Sequence, residues 1–176
     1  MVRSRWGCSV DQHCVMAWTV RRVGASEWRL IRALRLEALA DSPRAFGSTF
    51  GREEAFSDAE WIAFCAPFSW FAAEEDGRAV GLVAGCMGGR AAPGACEVIS
   101  MWVEAAARGG GAAVGLIRAV RTWAEAQGAS MMLLWVSDGN ERARHFYERL
   151  GFGPTGLREP LHSYPSISTN EYCLVL

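Results

Sequence analysis

Apolar and polar positions alternate along "WTVRRV" (residues 18–23), as they do in a strand with one buried face. The period then lengthens. In "ASEWRLIRALRLEALADSP", Trp28, Leu30, Ile31, Leu34, Leu36 and Leu39 follow helical spacing, with Ser26 as the expected N-cap and Pro43 as the stop. From Arg44 to Ala66 the pattern weakens: "FGSTFGREEAF" reads as loop with one short turn, and "SDAEWIAFCA" as a short helix capped by Ser57. Three strand-like runs follow at 69–75, 79–88 and 95–103, the first two joined by Asp-Gly, a strong hairpin signal, and the others by the looser "GRAAPG".

The second half alternates helices and strands. "AAVGLIRAVRTWAEAQG" places Val114, Leu116, Ile117, Val120 and Trp123 on one helical face and ends at Gly128, suited to a helix C-terminus. "SMMLLWVS" (130–137) is apolar almost throughout, as expected of a strand covered on both faces. Asn140 opens a helix with Ala143, Phe146, Tyr147 and Leu150 on one side and Gly151 at its end; "FGPTGLREPLHS" and the final strand "NEYCLVL" close the chain. Antiparallel runs combined with strand–helix–strand crossovers predict an α/β fold of the α+β kind, a mixed and mainly antiparallel sheet flanked by helices. One domain is expected over 18–176, with residues 1–17 a disordered or loosely attached arm.

Composition narrows the possible duties. The chain has 176 residues, 51% hydrophobic and 21% charged, with formal net charge −1. Nucleic-acid and membrane-surface binders carry a basic excess, so neither partner is expected. No run reaches the 18 or more apolar residues of a membrane span. The six cysteines (8, 14, 65, 86, 96 and 173) form no C-x-x-C pair and read as reduced thiols of a cytoplasmic protein. His13, His145 and His162 are scattered, so no metal site is expected.

The richest chemical signal is "RGGGAA", Arg108 to Ala113, between a strand and a helix. Unpaired N–H groups at a helix start form an anion site, and glycines let oxygens approach them closely. A P-loop needs lysine, which the chain lacks; a dinucleotide fingerprint begun at Gly109 would need glycine where Val114 stands. The stretch matches instead the R/Q-x-x-G-x-G/A pattern with which the GNAT superfamily of N-acetyltransferases holds the pyrophosphate of acetyl-CoA. "NERARHFYERLGF" (140–152) resembles the same family's N-x-x-A-x-x-F-Y-x-x-x-G-F signature, at the expected distance. Two departures are mild: Ala105 stands where many members have proline, and Ala113 where glycine is commoner.

The resemblance implies an acetyl-CoA-dependent N-acetyltransferase acting on an amine of a small molecule or protein, and dimers are common among proteins that resemble it. It implies Arg108, Gly109, Gly110, Gly111, Ala112 and Ala113 at the pyrophosphate. It also implies Met101 and Val103 as main-chain partners of the pantetheine arm, Asn140 near that arm, and Tyr147 as the acid that protonates the departing thiolate. For Asn140 an N-cap role is compatible. Glu97 lies eleven residues before Arg108, the spacing of a general base in histone-type members; other members use water chains, and both options stand. Strand alternation predicts that Glu97, Ile99, Met101 and Val103 share a face. Glu53, Glu54 and Glu60 could attract a cation or form a solvated face, and His162 and Tyr164 could line an acceptor pocket or belong to an ordinary loop. A non-catalytic acyl-CoA-binding module is the rival reading; the presence of Tyr147 counts against it.

Overall fold

A computed structural model describes residues 18–88 and 93–176. The expected arm at 1–17 and most of the "GRAAPG" turn lie outside the described residues. The elements are β1 (Thr19–Val23), α1 (Trp28–Asp41), α2 (Phe50–Glu54), α3 (Asp58–Cys65), β2 (Ser69–Glu75), β3 (Arg78–Met87), β4 (Ala95–Val103), α4 (Ala112–Ala126), β5 (Met131–Ser137), α5 (Glu141–Arg149), β6 (Gly153–Leu161) and β7 (Tyr164–Val175). The strands form one sheet in the order β1-β2-β3-β4-β5-β7-β6. Every neighbouring pair is antiparallel except β4 and β5.

The local reasons follow the sequence closely. Asp76 and Gly77 take positive φ (49° and 78°), the backbone a tight hairpin between right-twisted strands requires. Ser57 accepts from the Glu60 amide while Glu60 accepts from the Ser57 amide, a reciprocal cap on α3. Ser26 does not cap α1. It sits inside a 3-10 turn, Ala25–Glu27, whose Glu27 carboxylate accepts from the Gly24 amide, so the chain enters α1 already coiled. Phe50–Glu54 is a short helix capped by Thr49, where the sequence pattern predicts only a turn. β7 begins at Tyr164, ahead of the expected "NEYCLVL", because its polar first half pairs with β6 in a hairpin that few apolar residues announce.

Two apolar cores lie on opposite faces of the sheet. On one, α4 and α5 bury Leu116, Ile117, Val120 and Tyr147 against Phe71, Val83, Val98 and Leu134. On the other, α1 and α3 bury Ile31, Leu34, Leu39 and Trp61 against Trp70, Leu82 and Trp102. Among the described residues no helix is long and apolar enough to cross a membrane.

Candidate functional site

The parallel pair β4 and β5 shares only three positions, Ala95–Met131, Cys96–Met132 and Glu97–Leu133. Beyond Glu97 the strands part, and their carboxyl ends lead into α4 and α5. A gap at the carboxyl ends of parallel strands, flanked by helix N-termini, is where open α/β sheets hold ligands.

A bulge in β4 shapes one wall of the gap. Ala84 pairs with Ile99 and Leu82 with Trp102, so Ser100 and Met101 together oppose Val83, and Ser100 has φ 57°. Such a conformation is strained for a residue with a β-carbon and needs support from its surroundings. The Arg35 guanidinium supplies some, donating from Nη1 to Ser100 Oγ at 3.2 Å. The extra residue overturns the predicted alternation. Ile99 packs with the α1–α3 core, whereas Met101 and Val103 pack with the α4–α5 core, so Glu97 and Ile99 are out of phase with Met101 and Val103.

After β4 the chain makes a 3-10 turn, Ala105–Ala107, and enters the glycine stretch. Gly109 and Gly111 take φ 86° and 100°, a backbone that favours glycine. Gly110 does not share that conformation; a β-carbon there would lie 2.7 Å from Trp18 Cζ2. Among the described residues the amides of Gly109, Gly110 and Gly111 donate to no backbone carbonyl, which leaves unpaired donors at the start of α4. The Arg108 side chain turns the other way. Its Nε donates to the Val103 carbonyl at 2.8 Å and its Nη2 binds Asp41 at the end of α1. The guanidinium thereby ties the loop to β4 and α1 and takes one lone pair of the Val103 carbonyl.

On the other wall, Asn140 Oδ1 accepts from the Ala143 amide at 3.2 Å and caps α5. Tyr147, 7% exposed, lies in the last turn of α5, its ring edge-on to Phe146 and Phe152. Burial pushes its phenol well above the ordinary tyrosine range, so the hydroxyl stays protonated. Gly151, φ 93°, then reverses the chain and the Phe152 amide donates back to the Tyr147 carbonyl at 3.1 Å. The spacing Tyr-x-x-x-Gly-Phe therefore has a structural reason: a left-handed turn folds Phe152 onto the tyrosine it supports.

The two walls enclose a cleft of about 420 Å³ lined by Glu97, Ser100, Met101, Asn140 and Tyr147 among others. A smaller cavity of about 370 Å³ adjoins it and shares Ser137 and Asn140. Ser137, at the end of β5, is 6% exposed and its hydroxyl has no hydrogen-bond partner among the described residues. Phe46, Arg52, Phe56 and His162 also line the cleft, and Ser163 Oγ donates to the Phe46 carbonyl at 2.5 Å, joining the β6–β7 turn to the loop after α1. Arg35 and Glu53, 5% and 1% exposed, form a two-pronged ion pair (2.9 and 2.8 Å) in the same wall, with the guanidinium stacked 4.8 Å from the centre of the Phe46 ring.

A family model described as the acetyltransferase (GNAT) family matches residues 34–152. The chain belongs to that family. No curated protein matches it. Among solved structures, the ribosomal-protein-alanine N-acetyltransferase of Brucella melitensis superposes with a TM-score of 0.71 at 18% identity, over 90% of this chain and 99% of its own. A GCN5-related N-acetyltransferase from Kribbella flavida gives 0.71 at 21% identity, over 91% and 98%. The yncA protein of Salmonella typhimurium, solved with acetyl-CoA as its cofactor, gives 0.70 at 17% identity, over 91% and 94%. At these identities the likeness is one of fold.

For a GNAT acetyltransferase, whose general activity is acetyl transfer from acetyl-CoA, the distribution of residues is informative. Glu97, Met101, Asn140 and Tyr147 meet in one cleft; Val103 and the stretch from Arg108 to Ala113 lie outside its lining. His162 lines the cleft and Tyr164 does not. Of the three glutamates that could attract a cation, Glu53 is consumed by Arg35 and Glu60 by the α3 cap. Sequence reasoning missed Arg35 as a wall residue. Its signal was present, since Ile31, Leu34, Arg35, Ala38 and Leu39 form one buried stripe of α1 in which arginine is the exception.

Proposed function

We propose that this GNAT acetyltransferase carries acetyl from acetyl-CoA to a primary amine of a small molecule or protein, by direct attack within a ternary complex. The observation that carries the reading is the cleft between the parted strands, in which a carboxylate (Glu97) and a buried neutral phenol (Tyr147) line the same space. The unpaired amides of Gly109 to Gly111 suit the pyrophosphate, with Ala112 and Ala113 opening α4 behind them. The backbone of β4 beyond Glu97, freed from β5, suits the pantetheine amides in the manner of an added strand, with Met101 as the remaining main-chain partner and Asn140 opposite.

The reaction needs proton movement in both directions. An alkyl ammonium in water loses its proton at about pH 10.4 and a thiol at about pH 8.5, so at neutral pH the amine must give up a proton and the leaving sulfur gains from a donor. Glu97 takes the proton of the amine directly or through water. The neutral amine nitrogen then bonds to the acetyl carbon and sheds its second proton to water, the carbon–sulfur bond breaks, Tyr147 donates its hydroxyl proton to the sulfur, and the tyrosinate is reprotonated from solvent. Tyr147, like any phenol at neutral pH, is protonated and able to donate, and burial raises it further. Direct attack is favoured over an acetylated cysteine because burial pushes the Cys65 and Cys96 thiols up to about 11, where the thiolate is scarce.

The reading is tested by measuring thiol release from acetyl-CoA in the presence of a broad amine panel. Turnover of at least one amine class is expected. Binding of acetyl-CoA by calorimetry with no amine turned over would favour the non-catalytic acyl-CoA-binding module instead.

A further inference from the structure

Three glycines in a row invite a single explanation, room for phosphate, yet the structure divides them. Gly109 and Gly111 are required by their left-handed backbone, and nothing lies within 4 Å of a β-carbon built at Gly109. Gly110 lies outside the left-handed region, and its bareness answers to Trp18. A β-carbon there would meet Cζ2, Nε1 and Cε2 of that indole at 2.7, 2.9 and 3.0 Å, the first two closer than real β-carbons come. The same side of α4 comes close to β1 a second time at Gly115, where a β-carbon would lie 3.0 Å from Val20 Cγ2. The indole N–H of Trp18 is buried and has no acceptor among the described residues.

We propose that Trp18 is a positioning residue for the coenzyme: its indole fills the place of a Gly110 side chain and fixes the loop so that the amides of Gly109 to Gly111 face one point. This rests on the reading of that loop as the pyrophosphate site. Trp18 precedes β1, far in sequence from the loop, and packs at the margin of the α4–α5 core. Its effect is therefore on the affinity for acetyl-CoA rather than on the chemistry of transfer. A bare Gly110 required by phosphate and a bare Gly110 required by Trp18 make opposite predictions for a double variant.

The experiment measures the acetyl-CoA dissociation constant by calorimetry for the wild type, Gly110→Ala, Trp18→Ala and the double variant, with thermal unfolding of each. Trp18→Leu serves as a second background that keeps apolar packing. Gly110→Ala alone is expected to weaken binding by about tenfold or more, while either Trp18 variant shows a smaller but measurable loss that appears in KM more than in kcat. Adding Gly110→Ala to Trp18→Ala or Trp18→Leu should then cost less than about threefold, because the clash is gone. A double variant as weak as the product of the two single losses would overturn the proposal and return Gly110 to the phosphate. So would a Gly110→Ala protein that binds like the wild type. Failure of the wild type itself to bind acetyl-CoA would instead strike the pyrophosphate reading.

Discussion

The proposed site has a coenzyme end, which extends beyond the cleft, and an acceptor end within it, and the two are made of different material. The end proposed for the coenzyme is built from backbone: a bulged strand that has lost its neighbour, amides left over at a helix start, and left-handed glycines at residues 109, 111 and 151. The end proposed for the acceptor is built from side chains that reach it from α1, α2, the loop between them and the β6–β7 turn. A common coenzyme can be held by main-chain groups that any sequence supplies, provided the turns are right. A particular amine needs particular side chains, and these come from segments with no local pattern to keep them together.

That contrast can be broken at the acceptor end first. Glu53→Ala leaves the Arg35 guanidinium buried without its partner, for which a loss of roughly 3–5 kcal/mol is expected in chemical denaturation. Replacing both residues with apolar ones, Arg35→Met with Glu53→Leu, should recover most of that loss; a double variant as unstable as the single would mean the pair is not what the charge cost describes. At the coenzyme end Gly151→Ala is expected to cost about 1–2 kcal/mol, since it imposes the left-handed penalty and also brings a β-carbon to 3.3 Å from Leu174 Cδ1. The smallest effect belongs to neither end. Arg29 and Asp58, 73% and 72% exposed in their side chains, form a surface pair whose loss in Arg29→Ala should move Tm by no more than about 1–2 °C. A larger shift would show that α1 and α3 depend on each other through charge as well as through their shared core.

Legibility in the sequence divides along the same line. The Asp-Gly hairpin, the Ser57 cap, the Gly128 and Gly151 helix ends and the double-faced apolar strand β5 each depend on a few adjacent residues, and each could be read there. So could the order of elements, because hydrophobic period reports local burial. What escaped depends on distant partners. The bulge at Ser100 is held from α1 by Arg35, and nothing in "ACEVISMWV" betrays the slip that separates Glu97 from Met101. Arg108 heads a loop that looks ready for an anion, but its charge is claimed by Asp41, a residue 67 positions earlier. Arg35 stands out in sequence as the arginine in an apolar stripe of α1, but its partner Glu53 is identified only when the fold buries the two together. The early half of β7 was hidden for a different reason: its polar residues gain their order from β6, not from a core.

The reading of Tyr147 is the claim on which the functional account turns, and a single substitution tests it. Tyr147→Phe removes one oxygen while keeping the ring that packs between Phe146 and Phe152. With an amine identified by the panel, the measurement is kcat for thiol release alongside the acetyl-CoA dissociation constant. A fall in kcat of about 10²- to 10⁴-fold is expected, with coenzyme affinity within a factor of about two of the wild type. A kcat within a few-fold of the wild type would contradict that reading and leave Tyr147 as a packing residue.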